Sequence, residues 1–304
     1  MLDNERYNAS INSLEELINK ERILSNPELN HERLLDEQYK TQVALRSLGV
    51  THNTPPSEIP MVDKVIVGFK SPDLIKYFSL IGMPNSGKTS VLLDLDVNQP
   101  DSYWVFGDSA RRSFGMLKQE QTGIDFNQFT LTQILRSNSD ISYALDSIYF
   151  AYMTDEHYPK KSVVFERDYT DIPFIRANFL FGRIDIKILD KAENKFYENL
   201  NRFKGLPRTI ISCLVHPTTS KKREKEQKEH TVIQDKFLSC LYEQYLRFHY
   251  EMLNFRQVYK QEHPFNYVGV NMSGTNLQIN VKKLEKYINQ IQQTNLTYQQ
   301  ATLI

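Results

Sequence analysis

Five short apolar runs alternate with longer segments whose apolar residues recur every three or four positions. The runs cover residues 77–81, 103–106, 162–165, 209–215 and 267–270. Short runs of this kind are typical of buried strands, and the longer periodic segments are typical of helices. Their alternation predicts an α/β domain of three layers, with a mostly parallel sheet of about five strands. A further run at residues 65–69 is weakened by Gly68 and predicts either an edge strand or part of the rim on the adenine side of a nucleotide site.

The first 60 residues have a different pattern. Residues 13–24 and 34–48 carry apolar side chains at helical spacing, and the turn sequence SNP separates them. Residues 49–60 contain three prolines and predict a linker. We therefore predict a helical appendage with its linker at residues 1–60, a main domain at 61–292 and a Gln-rich tail at 293–304. A partner-binding or self-association arm and simple packing on the main domain are both open for the appendage.

The sequence GMPNSGKTS at residues 82–90 lies between the first of the five runs and a helical segment. It fits the phosphate-binding pattern G-x-x-x-x-G-K-[ST], in the order of strand, loop and helix that the pattern requires. Gly82 and Gly87 permit sharp turns that point backbone N–H groups inward, so that the loop through Asn85 and Ser86 can hold a polyphosphate. The positive end of the following helix adds to this attraction.

Three side chains at the end of this loop have separate predicted roles. Lys88 is expected to reach the β- and γ-phosphates of a nucleotide, and Thr89 to place its hydroxyl on a magnesium ion. Ser90 completes the motif and is assigned to the cofactor site with it, although a packing or helix-surface position suits its side chain better. ATP and Mg²⁺ are therefore the expected cofactors.

One carboxylate and two guanidiniums follow the second run, in the sequence GDSARR at residues 107–112. Ligands of open parallel sheets bind beyond the carboxyl ends of the strands, so a second substrate is expected here. Asp108 can accept a proton from a hydroxyl group, and Arg111 and Arg112 can hold an anionic substrate. A helix cap at Asp108 beside two solvated arginines is an equally good interpretation of the spacing.

The third run ends in the sequence ERDYTD at residues 166–171. A carboxylate directly after a buried strand of a nucleotide-binding domain is a candidate for orienting magnesium, so Glu166 is predicted to do so directly or through water. Arg167 is placed to stabilise charge on a transferring phosphoryl group or to bind a substrate. Asp171 stands before Ile172 and Pro173 and is predicted to cap the next helix.

The fourth run is followed by HPTTSKKREKEQKEH at residues 216–230, which mixes five cations with three glutamates. Such a mixture is usual for a solvated helix face. After a strand of a phosphate-transfer fold it is equally consistent with a mobile lid, in which Lys222 and Arg223 close over the nucleotide and exclude water. The loop NMSGT at residues 271–275 follows the fifth run and is a place where a nucleoside base can lie.

Composition narrows the classes of function. Lys plus Arg and Asp plus Glu balance at 37 each, so the net charge gives no argument for binding nucleic acid or an anionic membrane. No apolar run approaches the roughly 20 residues that span a bilayer. Cys213 and Cys240 are the only cysteines, which predicts neither a disulfide framework nor a zinc site and fits a reducing compartment. We therefore expect a cytoplasmic protein with a small-molecule substrate.

The order of these motifs resembles the P-loop kinases of nucleosides and nucleotides. The group includes deoxynucleoside kinases, thymidylate kinase and nicotinamide riboside kinase-like domains. A Glu-Arg-Ser motif of the deoxynucleoside kinases corresponds to residues 166–168, and the GDSARR cluster is similar to the E-x-A-R-R pattern of AAA-like kinases. The resemblance implies that Asp108 deprotonates the acceptor hydroxyl, that Glu166 contacts the acceptor or the metal shell, and that Arg167 stabilises the transferring phosphoryl group. The lid arginines of the family correspond loosely to Arg223.

We therefore predict an ATP- and Mg²⁺-dependent phosphotransferase for a nucleoside, a nucleotide or a related ribosyl compound. The alternative is an ATPase or nucleotide-dependent switch, in which residues 1–60 bind a protein partner. A domain that binds nucleotide without turnover is a third and less favoured interpretation. No N-K-x-D or T-K-x-D sequence follows the later strands, which argues against a GTPase of the Ras type.

Overall fold

A computed structural model describes residues 27–51, 54, 65–66, 77–107, 127, 130–131, 162–167, 171–202, 208–227, 235–255, 258, 266–274 and 276–293. Six strands form the central sheet of this part of the chain. They are β1 Val65–Ile66, β2 Tyr77–Gly82, β3 Tyr103–Phe106, β4 Ser162–Glu166, β5 Arg208–Leu214 and β6 Asn266–Asn271. The order across the sheet is β1-β6-β5-β2-β4-β3, and every neighbouring pair is parallel except β1 with β6.

The central strands are buried on both faces. Every residue of β2 and β4 is buried, which explains why these strands appear in the sequence as nearly continuous apolar runs. β2 lies between β4 and β5, so the loop that follows it emerges at the middle of the carboxyl edge of the sheet. This position brings the ends of β4 and β5 next to that loop.

Seven helices accompany the sheet in the described residues. They are α1 Pro27–Leu48, α2 Lys88–Asn98, α3 Ile172–Leu180, α4 Ile186–Arg202, α5 Pro217–Gln227, α6 Asp235–Leu253 and α7 Leu277–Gln293. α2 and α7 pack together, with α2 against β2, β3 and β4. α6 packs against β5, α3, α5 and α1, and α3 also contacts α4. The predicted α/β class with three layers and a mostly parallel sheet is confirmed.

Helix α1 is joined to the main domain by buried charges. Glu37 of α1 is fully buried and accepts a hydrogen bond from Arg247 of α6 at 2.6 Å. Arg247 also donates to Glu251 at 2.8 Å, and Glu251 accepts a second bond from Arg176 of α3 at 2.7 Å. Arg176 in turn donates to Glu193 of α4 at 2.9 Å. An alternating chain of cations and anions therefore links four helices.

Several sequence predictions fall on residues outside the described part of the chain. These include the first predicted helix at residues 13–24 and most of the linker at 49–60, so the domain boundary at residue 60 stays a prediction. The short strand β1 pairs at one edge of the sheet, as expected for residues 65–69. Among the described helices, none combines the length and the apolar character that a membrane crossing requires.

Candidate phosphate-binding and catalytic site

The loop between β2 and α2 depends on backbone conformations that favour glycine. Gly82 has a φ of 142°, and a Cβ atom there would lie 2.2 Å from the carbonyl oxygen of Cys213 in β5. The next amide, of Met83, donates to that same oxygen at 3.0 Å. Asn85 and Gly87 have left-handed φ values of 57° and 91°. The two motif glycines therefore permit the close approach to β5 and the turn into α2, as the motif requires.

Lys88 begins α2 and turns back into the loop. Its ammonium group donates to the carbonyl oxygens of Gly82 at 3.1 Å and Met83 at 2.8 Å, and to the hydroxyl of Ser86 at 3.0 Å. Burial lowers the pKa of Lys88, and the charge of Arg167 lowers it further, against the opposing effect of nearby carboxylates. The ammonium charge is therefore held inside the loop, where anionic phosphate oxygens would stabilise it.

Thr89 meets the end of strand β4. Its hydroxyl donates to the two carboxylate oxygens of Glu166, at 3.0 Å and 3.2 Å, although the two residues are far apart in the sequence. Glu166 is buried as the last residue of β4. The parallel pairing of β2 with β4 sets Leu80 opposite Glu166 and so fixes this approach. The two residues assigned to magnesium are thus in direct contact.

This pair of oxygen groups has the chemistry that Mg²⁺ requires. Within the described residues no group of three or more His, Cys, Asp or Glu is placed to hold a metal ion. A magnesium ion that accompanies a nucleotide needs fewer protein ligands, because it takes phosphate oxygens and keeps several waters. The hydroxyl of Thr89 and the carboxylate of Glu166 are hard oxygen donors on one side of the loop. They fit such an ion.

Arg167 has a strained backbone directly after this carboxylate. Its φ of 53° is left-handed, a conformation that costs a non-glycine residue on the order of 1–3 kcal/mol and that clusters at functional sites. The backbone amide of Arg167 donates to the carbonyl of Leu80 in β2 at 2.9 Å. Its guanidinium lies 5.4 Å from the centre of the Phe174 ring, and its Nε lies 3.7 Å from the carboxylate of Asp171.

Asp171 has a different role from the helix cap that the sequence predicts. It stands at the N-cap position of α3, but its side chain makes no capping hydrogen bond. Instead the fully buried carboxylate accepts a 2.5 Å hydrogen bond from the hydroxyl of Tyr245 in α6 and approaches Arg167. Burial and the charge of Asp171 raise the pKa of Tyr245 well above its usual value. Tyr245 therefore fixes a buried carboxylate that lies beside the guanidinium of Arg167.

The sequence analysis missed Tyr245. It lies in a segment that is rich in Leu and Tyr, and the pattern assigns it to the core. The structure does bury its ring completely, while its hydroxyl bonds to a carboxylate near the phosphate loop. No local pattern distinguishes such a tyrosine from its neighbours in α6, because the distinction depends on a partner that is 74 positions away.

The cationic segment after β5 forms helix α5. Lys222 is 71% exposed and lies 4.0 Å from Glu226 on the same helix. Arg223 is 4% exposed, and its guanidinium donates to the carbonyl of Asn85 in the phosphate loop at 2.8 Å. Of the two predicted lid residues, the structure therefore brings Arg223 to the phosphate loop and leaves Lys222 at the surface. Residues 228–234 lie outside the described part of the chain.

The remaining predicted site residues divide into two groups. Ser90 is exposed in the first turn of α2, which agrees with a helix-surface position. Asp108, Arg111 and Arg112 lie outside the described residues, although strand β3, which leads to them, ends beside β4. The described residues therefore include those assigned to the nucleotide, whereas the acceptor side of the site stays a prediction.

Comparisons with known proteins find matches among solved structures. No protein-family model matches the sequence, and no curated protein matches it. The similar structures include three of deoxyadenosine kinase from M. mycoides, each covering 70% of this chain and 98% of the other. They are the structure with the products dCMP and a flexible dCDP (14% identity, TM-score 0.44), that with dCTP (13%, 0.42) and that with dATP (16%, 0.36).

These structures are nucleoside kinases, the group that the sequence motifs resemble. Likeness at these identities and TM-scores shows no function for this chain.

Proposed function

We propose that this protein is an ATP- and Mg²⁺-dependent phosphotransferase whose acceptor is a nucleoside, a nucleotide or a related ribosyl compound. The observation that carries the proposal is the contact of Thr89 with both oxygens of Glu166, directly beside the buried ammonium of Lys88. Phosphoryl transfer requires this combination of a phosphate cradle, a metal-binding oxygen pair and fixed positive charge.

The residues have distinct roles in this proposal. The loop amides and Lys88 bind the β- and γ-phosphates, and Thr89 and Glu166 hold Mg²⁺, which when bound neutralises charge on the phosphate oxygens. Arg167, in its strained conformation beside Glu166, stabilises charge that develops on the transferring group. Asp108 accepts the proton of the acceptor hydroxyl. Catalysis then comes mostly from orientation and charge neutralisation.

Arg111 and Arg112 complete the proposed acceptor site. They follow Asp108 at the carboxyl end of β3, the strand that pairs with β4, and are assigned to anionic groups of the acceptor. Guanidiniums suit this role because their planar donors match phosphate and carboxylate oxygens in pairs. The identity of the acceptor depends on the shape of this part of the site.

The decisive experiment measures phosphorylated product by mass after incubation with ATP, Mg²⁺ and a panel of nucleosides, nucleotides and nicotinamide riboside. Acceptor-dependent product is expected, and Asp108→Asn should reduce its rate by roughly 10²–10⁴-fold while ATP binding survives. The control is Asp101→Asn, which removes an exposed carboxylate just before β3 and should change neither. ATP hydrolysis that is independent of every acceptor would contradict the kinase proposal.

A nucleotide-dependent switch is the second candidate, and one feature of α1 favours it. Leu35, Tyr39 and Val43 recur every four residues on the same face of this helix and are 53%, 69% and 37% exposed. An exposed apolar stripe on a helix that the buried charges fix to the domain is suited to self-association. A switch predicts self-association that depends on ATP and is seen in sedimentation. Tyr39→Ser should abolish it, and Gln38→Ser, which changes an exposed polar side chain next to the stripe, should preserve it. Sedimentation that ATP leaves unchanged would contradict it.

A further inference from the structure

We infer that Arg223 is a positioning residue that holds two loops at a fixed separation, so that one nucleotide contacts both. The first is the phosphate loop, whose Asn85 carbonyl accepts from Nη1 at 2.8 Å. The second is the loop after β6, where the carbonyls of Met272 and Gly274 accept from Nη2 at 2.9 Å and 2.7 Å. The inference rests on the proposed nucleotide binding, because the second loop is the predicted location of the base.

The environment of Arg223 suits a side chain that acts as a brace, that is, one that holds the two loops at a fixed separation. The side chain is 4% exposed, and none of the described carboxylates forms an ion pair with its guanidinium. Burial lowers the pKa of Arg223, and the charge of Glu226 opposes this effect without outweighing it. A buried cation is costly unless its donors find acceptors, and here backbone carbonyls of two separate loops accept three of the five N–H donors of the guanidinium. The same three bonds hold the guanidinium in one orientation.

The bond to Asn85 controls the direction of an amide in the phosphate loop. Because a trans peptide is planar, fixing the Asn85 carbonyl toward Arg223 points the N–H of Ser86 to the opposite side. Helix α5 also holds this turn through Ser220. The Ser220 carbonyl accepts from the side-chain amide of Asn85 at 3.2 Å, and its hydroxyl donates to the Pro84 carbonyl at 3.0 Å. The left-handed turn at Asn85 is thus held by Ser220 as well as by Arg223, so the phosphate loop keeps its shape when only the Arg223 bond is lost.

The loop after β6 is held from its other side by α7. The side-chain amide of Asn280 donates to the carbonyls of Met272 at 3.0 Å and Gly274 at 3.2 Å, the two oxygens that Arg223 also binds. A Cβ atom at Gly274 would lie 2.9 Å from the Asn280 side chain, so the loop packs closely on α7. Arg223 therefore joins the phosphate loop to a loop that is itself fixed to the domain.

Arg223 could act on nucleotide binding through its positive charge alone or by holding the two loops together, and the two roles predict different results. Lysine at position 223 keeps the positive charge but lacks the planar fork that reaches several carbonyls at once. If charge alone mattered, Arg223→Lys would bind nucleotide like the wild type. If Arg223 only shaped the phosphate loop, a ligand that consists of phosphates alone would lose as much affinity as ATP.

Calorimetric titration of the full-length protein with ATP and with inorganic tripolyphosphate, both with Mg²⁺, separates these cases. For Arg223→Lys we expect the Kd for ATP to rise roughly tenfold or more, and the Kd for tripolyphosphate to change by less than about threefold. Asn280→Ala, which loosens only the loop after β6, should show the same selective loss and remains informative if the Arg223 variant does not fold. Lys225→Gln removes an exposed charge from α5 and should change neither affinity.

The inference is wrong if the variants lose affinity equally for ATP and for tripolyphosphate. It is also wrong if Arg223→Lys and Asn280→Ala bind ATP as tightly as the wild type. If the wild-type protein fails to bind ATP, the proposed function itself is wrong. The two failures are therefore distinguishable.

Discussion

Glu251 lies at the centre of the buried charges that join α1 to the domain, and replacing it with glutamine tests how strongly they stabilise the fold. Its carboxylate accepts hydrogen bonds from Arg176 at 2.7 Å and from Arg247 at 2.8 Å. Burial by itself raises the pKa of Glu251, but the two guanidiniums outweigh that effect and lower it from 4.5 to about 2.

The lowered pKa translates into a pH-dependent free energy of unfolding. Because the folded chain binds the proton less tightly, the ionised carboxylate stabilises the fold at pH values above 4.5, and this contribution is lost as the pH falls from 4.5 towards 2. The difference in pKa corresponds to roughly 3 kcal/mol at neutral pH. About two fifths of it is lost by about pH 3.5.

Urea unfolding of the wild type and of Glu251→Gln between about pH 7 and pH 3.5 measures this contribution. We expect the variant to be less stable by roughly 3 kcal/mol at neutral pH, and the difference to narrow by ~1 kcal/mol or more at the acidic end. Glu198→Gln removes an exposed carboxylate that pairs only with Lys195 in the described structure. Its free energy of unfolding should change with pH as that of the wild type does. A constant difference between wild type and Glu251→Gln across this range would refute the argument.

Three further predictions concern the phosphate loop. Gly82→Ala should lower the free energy of unfolding by roughly 2–5 kcal/mol in urea titrations, because its Cβ would overlap the Cys213 carbonyl; wild-type stability would contradict the close approach. Tyr245→Phe should cost roughly 1–3 kcal/mol in the same assay, since the buried carboxylate of Asp171 loses a donor; a neutral effect would contradict that bond. Burial holds the pKa of Lys88 below its usual value, and bound phosphate oxygens would raise it. ATP binding should therefore take up protons at alkaline pH, and the affinity for ATP should fall as the pH rises through the pKa of Lys88 in the free protein. Calorimetry in two buffers of different ionisation enthalpy measures this uptake, and net proton release would contradict it.

The strands and the phosphate loop were predictable because their causes are local. A strand buried on both faces must be apolar along its length, so β2 and β4 are visible in the sequence to within one residue. The two glycines of the loop are required by backbone conformations that other residues rarely adopt, as at Gly87 with its φ of 91°. Such constraints act on a few consecutive residues and leave a recognisable pattern.

Residues that support the site from other elements left no such pattern. Arg223 appears in the sequence as one cation among five, and its three bonds to backbone carbonyls depend on loops that are distant in the chain. Asp171 has the spacing of a helix cap, yet Tyr245 binds its carboxylate. The sequence shows which side chains can ionise or donate, but tertiary packing decides which of them meet.

The buried charges at α1 show that tertiary packing also decides how a whole helix relates to the main domain. The sequence predicts a helical appendage at residues 1–60, because the proline-rich linker at 49–60 separates its helices from the main domain, and it leaves open whether the appendage packs on that domain. In the structure, Glu37 of α1 is fully buried against Arg247, and removing α1 would leave that guanidinium with only Glu251 as an ionic partner among the described residues. A buried charge that loses a partner is strongly destabilising. Since α6 also carries Tyr245, which binds Asp171 beside Arg167, α1 belongs to the framework that holds the edge of the sheet where the proposed site lies.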